Sequence, residues 1–379
     1  MHNKANYQPI IIFAPGVLAG AEKVVITGTH ALFDLGLNPH VIVIKESRAP
    51  QFAEKFIMEF SPKIQITVLE STKALDFELP KKINRLLKDL IQKDFIIHTH
   101  GLKALIVCQL IKPKFHHIHT HHGNTSHTFK MRLYEWMADL SMKRCQHIIA
   151  VSEEMRGLLL KKLAPYKKIS VVTNMLSFKN AKSIRDQREL RSKNNQIHLI
   201  FIGRLSPEKG LIPFLENFNS FEFKDQFILS VLGDGVEKNQ AMAFVKEFQL
   251  ESKVTFYGHV HNPSHYISLA DALILPSFKE GLPMTLIEAL ASGLPVLAND
   301  VGAIKDLVTS HRNGLIVSHN GRECWHQALI CLKNEIGLWQ KYTMEHASDI
   351  EEKYSAKNWA LKTKKIYDQL ILSNANESD

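Results

Sequence analysis

The chain has 379 residues, 45% hydrophobic and 22% charged, a composition that excludes disordered, collagen-like and coiled-coil chains. That length exceeds the ~250–300 residues at which single cores stop growing, so two domains are expected. The formal charge is +9 and unevenly spread: residues 1–180 carry 25 Lys and Arg against 14 Asp and Glu, and residues 181–379 carry 22 against 24. A basic half suits nucleic acid, an anionic membrane or a phosphorylated substrate, and composition does not choose among them.

No apolar run approaches the ~20 residues of a membrane span. Met1–Tyr7 has no apolar core of signal-peptide length behind it, which predicts a cytoplasmic protein. The four cysteines, Cys108, Cys145, Cys324 and Cys331, form no C-x-x-C pair. They read as small buried hydrophobes or reduced thiols rather than zinc ligands or a redox motif.

In chain order, apolar runs of strand length alternate with stretches of helical spacing. Ile10–Ala14 reads as a buried strand, Pro15–Gly20 as a loop and Glu22–Leu35 as a helix. Strands follow at His40–Ile44, Ile64–Leu69, Phe95–His98, His117–Thr120, His147–Val151 and Ile169–Val172. Such alternation predicts a parallel sheet covered by helices. The pattern breaks at Phe178–Gln196, a polar stretch that reads as a linker with some helical character. It restarts with strands at His198–Ile202, Phe227–Leu232, Lys253–Phe256, Ala272–Leu275, Leu294–Ala298 and Gly314–Val317, and Trp359–Leu372 reads as a final helix. The expected organisation is two doubly wound α/β domains, residues 1–177 and 197–355, joined by a linker at 178–196. Residues 356–379 form a C-terminal helix and tail expected to pack back on the first domain. In such domains ligands bind where strands end and helices begin.

Three segments carry chemistry at such places. Pro276–Val296 (PSFKEGLPMTLIEALASGLPV) follows a strand, with Glu280 in the loop and Glu288 about a turn and a half into an apolar helix that Gly293 ends. A carboxylate in apolar company needs a hydrogen-bond donor, which sugar or ribose hydroxyls supply, while free amides at the helix start favour a phosphate. Taken alone, two surface glutamates would be the plainer reading. Arg204 and Lys209, in Phe201–Gly210 (FIGRLSPEKG), converge on a turn into a helix and suit a diphosphate. The third segment is His116–His122 (HHIHTHH). On a strand His117, His119 and His121 share a face and could bind zinc, but no carboxylate or cysteine nearby in sequence completes a site, and no metal is expected.

Glu280, seven intervening residues and Glu288, inside P-S-x-x-E-G-L-P-x-x-x-x-E-A-L-A-x-G-L-P-V, resemble the signature of the retaining glycosyltransferases of family four. Those are GT-B enzymes, with two Rossmann-like domains facing across a cleft, that use nucleotide-diphosphate sugars. The resemblance implies that Glu280 contacts the donor sugar, Glu288 the ribose, and the backbone of Gly281, Leu282, Pro283 and Met284 the sugar and phosphate. It implies that Arg204 and Lys209 bind the donor diphosphate. Phe256-Tyr-Gly258-His-Val260 resembles the loop that reads the base, with Gly258 and Val260 against the donor, and Ala19-Gly20-Ala21-Glu22 resembles the first Gly-rich loop, where Gly20 admits the phosphates or acceptor. Gly233-Asp234-Gly235, Asp300-Val-Gly302 and Asn313-Gly314 resemble further turns. Thr120-His121-His122 resembles the family's T-x-H, which makes His122 the residue pointing at the donor sugar and His121 its neighbour on the sheet side, with the two exchanged if the register shifts by one. His98-Thr-His100-Gly101 also matches, and with His121 it places His100 on the acceptor side. Ala19, Asn174-Met175 and Lys305-Asp306 depart from the usual Gly, Asn-Gly and Glu.

The function so implied is retaining, metal-independent transfer of a hexosyl-type sugar to an acceptor hydroxyl, with no cofactor beyond the nucleotide-sugar donor. A glycan or lipid-linked acceptor is implied, in bacterial envelope polysaccharide, lipopolysaccharide or glycolipid synthesis. Lys130, Arg132, Lys143, Arg144, Lys161, Lys162, Lys167 and Lys168 offer the first domain a peripheral contact with an anionic membrane, on the cytoplasmic face of the inner membrane. Alternatives are a sugar-nucleotide epimerase or phosphorylase on the same scaffold, or a non-enzymatic basic protein binding nucleic acid or membrane. No nucleic-acid motif supports a nucleic-acid partner, and a dehydrogenase lacks its G-x-G-x-x-G after the first strand.

Overall fold

A computed structural model describes residues 7–16, 20–72, 76–90, 94–111, 115–122, 129–163, 168–176, 180–190, 196–318 and 322–375. The chain forms two compact units, Met1–Ser177 with Ser355–Asp379, and Phe178–Tyr354.

The first unit runs β1 (Tyr7–Phe13), α1 (Gly20–Asp34), β2 (His40–Glu46), α2 (Pro50–Met58), β3 (Gln65–Ser71), α3 (Glu78–Leu90), β4 (Asp94–His100), α4 (Leu102–Cys108), β5 (His116–His121), α5 (Phe129–Met142), β6 (His147–Ala150), α6 (Glu153–Leu163) and β7 (Lys168–Val171). Among the described residues these strands make one parallel sheet in the order β3-β2-β1-β4-β5-β6-β7. Ile10, Ile11 and Ile12 of β1 are buried because helices cover both faces of the sheet. Pro9, which cannot donate to a ladder, lies before the stretch where β1 gains its second neighbour: pairing with β2 begins at Ile10.

The second unit begins with α7 (Ala181–Leu190) and continues through β8 (Ile197–Ile202), α8 (Leu211–Asn219), β9 (Phe227–Leu232), α9 (Lys238–Glu247), β10 (Val254–Gly258), α10 (Ser264–Leu269), β11 (Ala272–Leu275), α11 (Met284–Ala291), β12 (Val296–Asn299), β13 (Gly314–Val317) and α12 (Arg322–Lys353). Its described strands form a parallel sheet ordered β10-β9-β8-β11-β12-β13. Both orders reverse beside the first strand of the unit, between β1 and β4 and between β8 and β11, and such reversals open the crevice used for ligands. Phe201, Phe214, Phe218, Phe227, Trp325 and Trp339 fill the core of this unit.

Within the polar stretch read as a linker, residues Ala181–Leu190 form α7. This helix packs on α10, Arg188 bonds the carbonyls of Ile267 and Ala270, and Arg185 bonds the Ala291 carbonyl and Glu351. Arginine stems and forks let a sequence of low hydropathy dock, which apolar periodicity does not reveal. The long helix α12 was not anticipated either.

The last helix, α13 (Ala356–Ala375), returns to the first unit and packs on α1. Trp359, Ile366, Tyr367 and Leu370 join its core, and the Tyr7 hydroxyl donates to Asp368 Oδ1 at 2.7 Å. Gly28 of α1 is where the helices meet: a Cβ there would lie 2.6 Å from the buried Trp359 ring. Alanine is worth ~1 kcal/mol over glycine inside a helix, but overpacking a core costs ~1–3 kcal/mol. Gly28→Ala is therefore expected to destabilise the first unit by about 1 kcal/mol, read as a lower midpoint in urea unfolding; a raised midpoint would show that the ring yields.

Candidate active site

In the second unit β8 hands over to a turn through Gly203, Arg204, Leu205 and Ser206, a short 3-10 turn at Pro207–Lys209, and then α8. Beside it, β11 hands over to Pro276–Pro283 and then α11. The two segments that looked functional in sequence thus flank the reversal of strand order. They also touch. Lys209 Nζ and Ser277 Oγ both donate to Glu280 Oε1, each at 2.7 Å. The Glu280 side chain is 7% exposed and that of Lys209 26%, so the pair is held away from bulk water. The Phe278 amide donates to the Glu208 carbonyl at 2.9 Å, stitching the loops together on the backbone.

Glycines allow this closeness. Gly210 has φ +67°, and a Cβ on it would lie 2.2 Å from the Pro276 carbonyl oxygen. Gly302, after β12, has φ +57° and a virtual Cβ 2.2 Å from the Glu280 carbonyl oxygen, while the Ala303 amide bonds the Gly281 carbonyl at 3.0 Å. The loop bearing Glu280 is thus braced on both flanks by backbone that no side chain could share. Gly233 and Gly235 likewise pack on the carbonyls of Gly203 and Leu205, shaping the turn that carries Arg204.

Arg204 is exposed on that turn. Glu208 beside it has its carboxyl held below the usual range, by the neighbouring Ser206 hydroxyl first and then by backbone, Arg204 and Lys209. Glu288 is half-buried on α11. Met284 begins that helix and Pro283 precedes it; the first amides of any helix lack intrahelical acceptors. The helix closes with a Schellman pair, Leu294 amide to Ala289 carbonyl at 2.9 Å and Gly293 amide to Leu290 carbonyl at 3.1 Å. Gly281 is exposed and Leu282 half-buried. Gly258, at φ +69°, ends β10, its carbonyl accepts from the Gly233 amide at 2.7 Å, and Val260 follows half-buried.

In the first unit Gly20 opens α1. The carboxylate of Glu22, buried two residues later, accepts the Gly16 amide at 3.0 Å and so clasps the two ends of the loop; Ala19 lies outside the described residues. Glu22 stands in the motif Ala19-Gly20-Ala21-Glu22, and nothing in its spacing reveals this bond.

The histidines divide between the two faces of the sheet. Thr99, His117 and His119 lie on one: Thr99 Oγ1 bonds His117 Nε2 at 2.9 Å and His119 Nδ1 at 3.1 Å. The half-buried His121 follows on that side, its ring centroid 6.0 Å from that of His119. His98, His100, Thr120 and His122 share the other face. His98 bonds Tyr367 Oη and Thr120 Oγ1, each at 2.7 Å, and His100 Nδ1 lies 3.0 Å from His122 Nε2. His100 is buried, and its Nδ1 is engaged with His122. Burial lowers the pKa of His122 to about 4 and of His98 to about 3, and that of His100 well below the ordinary value. All three are neutral at physiological pH. Among the described residues no three His, Cys, Asp or Glu side chains converge as metal ligands.

Two Rossmann-like units of this strand order, with a carboxylate–lysine pair and a helix start at the reversal of the second sheet, define the class of GT-B glycosyltransferases. Comparisons agree. Residues 18–177 match the family model described as "Glycosyltransferase Family 4", and residues 182–336 match "Glycosyl transferases group 1". The chain belongs to these glycosyltransferases. A Haemophilus influenzae protein named as an uncharacterized glycosyltransferase is 25% identical over 330 residues, covering 86% of this chain and 89% of that one. The Escherichia coli UDP-Gal:alpha-D-GlcNAc-diphosphoundecaprenol alpha-1,3-galactosyltransferase is 23% identical over 258 residues, covering 63% of this chain and 66% of that protein. Anabaena Alr3699/HepE, solved in complex with UDP, shares the fold with a TM-score of 0.76 at 16% identity, over 96% of this chain and 100% of that one.

Because Glu280 is nearly buried, Lys209 and Ser277 are what make its charge tolerable. Lys209→Met is expected to destabilise the second unit more in the native background than in a Glu280→Gln background. A coupling of about 1 kcal/mol is expected in a double-mutant cycle of urea unfolding; additive losses would show that the pair contributes nothing.

Proposed function

We propose that the protein is a retaining, metal-independent hexosyltransferase that moves a sugar from a nucleotide-diphosphate donor to a hydroxyl of a glycan or lipid-linked acceptor in envelope polysaccharide, lipopolysaccharide or glycolipid synthesis. The observation that carries this reading is the meeting of Lys209, Ser277 and Glu280 at the strand-order reversal, with Arg204 on the adjoining turn and a helix start beside them. Fixed positive groups where a diphosphate departs stabilise the charge that develops there. In this reading Arg204, Lys209 and the amides leading into α11 hold the diphosphate. Glu280 accepts donor-sugar hydroxyls, Glu288 the ribose, and Gly20, Gly258 and Val260 line the donor. His122 bonds the sugar. The bond from the anomeric carbon to the phosphate oxygen breaks, the acceptor oxygen bonds the same face, and its proton passes to the leaving phosphate. The products are the glycoside and the nucleoside diphosphate.

The donor class and an acceptor on a lipid diphosphate are those in the name of the Escherichia coli relative. No helix among the described residues is long and apolar enough to cross a membrane. A peripheral contact is supported by the first unit, where the exposed Trp136, Leu140 and Leu158 accompany the exposed Lys143, Arg144, Lys161 and Lys162 on α5, its end and α6. Exposed aromatics with lysines suit a headgroup layer. The side chains of Lys130 and Arg132, and residue Lys167, lie outside the described residues.

The test is incubation with UDP-, GDP-, ADP- and dTDP-sugars, with and without EDTA and membrane extract. One donor should be consumed with release of its nucleoside diphosphate, unaffected by EDTA. Arg204→Ala or Lys209→Ala should lower the rate by ~10²–10³. Donor recovered as a free epimer, or sugar phosphate as product, would assign the site to the scaffold's other chemistries, and consumption of no donor would overturn the reading. For the membrane contact, Lys143→Ser with Arg144→Ser should weaken sedimentation with anionic vesicles roughly 30-fold, at ~1 kcal/mol per charge; unchanged sedimentation would exclude this face.

A further inference from the structure

The family resemblance implies an acceptor-side position for His100, and the structure shows which side chain it meets. His100 Nδ1 and His122 Nε2 lie 3.0 Å apart, and their ring planes differ by 28°, so the two imidazoles share one proton nearly in plane. The other nitrogen of His122, Nδ1, is buried and has no hydrogen-bond partner among the described residues. Behind His100 stands His98, its ring centroid 4.3 Å away, and the edge of Phe13 meets His100 at 89°. His98 is itself held at both nitrogens, by Thr120 from β5 and by Tyr367 from α13. Phe13 and His100 are paired residues at the ends of β1 and β4, so this stack sits at the reversal of strand order in the first sheet.

We infer that His100 is a positioning residue that holds His122 as its Nε2–H tautomer, leaving the buried Nδ1 as a bare acceptor for a hydroxyl of the bound ligand. Resting on the proposed donor contact of His122, this explains how a loop-end imidazole acquires one orientation and one protonation pattern. A neutral imidazole has one N–H and one lone pair. If His100 donated, His122 would carry its proton on Nδ1, and an N–H would be stranded in the interior. Orphaned buried N–H groups are rarer than under-satisfied acceptors, so the empty protein favours the opposite sense. A partner on the far nitrogen is the general way a histidine tautomer is set. Tyr367 lies 245 residues beyond His122 in sequence and reaches this array only because α13 returns to the first unit.

The experiment is nitrogen–proton correlation NMR on histidine-labelled full-length protein, with His122 assigned from the signals lost in His122→Gln, beside donor kinetics. In the native protein His122 is expected as a single Nε2–H tautomer. In His100→Phe, which keeps a ring but removes the nitrogen, the signal should move to an average of the two tautomers. The kcat should fall about 10-fold, as second-layer histidine partners typically cost, with little change in the KM of the donor. His100→Asn, whose amide oxygen reproduces an acceptor near the Nδ1 position, should restore the single tautomer and most of the kcat. A native His122 protonated on Nδ1 or averaging between forms overturns the inference, and so does a tautomer unchanged in His100→Phe. Should His100→Phe not fold, the native spectrum and His100→Asn still decide. The tautomer is read without any donor, so failure of the glycosyltransferase reading would appear in the kinetics and leave this result standing.

Discussion

Glu280 sets the terms for the second unit. A carboxylate with 7% of its side chain exposed is costly unless its charge is met at short range, and two donors meet it on one oxygen. Those donors come from different loops, so the charge is satisfied only when the turn after β8 and the segment after β11 lie against one another. Gly210 and Gly302 are the structural answer to that demand, since each admits a carbonyl oxygen where a Cβ would stand. The same contacts that stabilise the buried carboxylate also hold the Lys209 ammonium in place beside the turn that carries Arg204. In the proposed reaction such fixed cations would not have to reorganise as charge moves onto the leaving group.

The first unit follows a different logic. Its functional-looking side chains are neutral imidazoles rather than ions, and burial keeps them so. Neutral rings with hydroxyl partners can be packed at the end of a sheet without the desolvation cost of charges. The result is an ordered array running from Tyr367 through His98 and His100 to His122, whose buried Nδ1 has no hydrogen-bond partner among the described residues. On the opposite face His117 and His119 meet Thr99, and His117 also meets Gln109 and Cys145, while His119 Nε2 is buried without a hydrogen-bond partner among the described residues. Alternating side chains on a strand thus separate two groups of histidines that look alike in sequence.

Much of this is legible in the sequence. Strands such as Phe227–Leu232 and Ala272–Leu275 declare themselves by short apolar runs, because a parallel sheet buried on both faces needs them. The loop positions of Glu280, Arg204 and Lys209 followed from those strands. What was illegible lacks apolar periodicity or depends on distant partners: α7 docks through Arg185 and Arg188, Glu22 clasps Gly16, and His100 turned inward to His122.

By itself, then, the sequence determined the fold class, the two repeats of strand and helix, and the family signature, because each depends on residues close together in the chain. The tertiary structure alone decided the Lys209–Glu280 pair, the return of α13 to the first unit and the tautomer-setting contact of His122. Those contacts join residues tens to hundreds of positions apart, and a hydrogen bond depends on distance and direction in space, which local pattern does not specify.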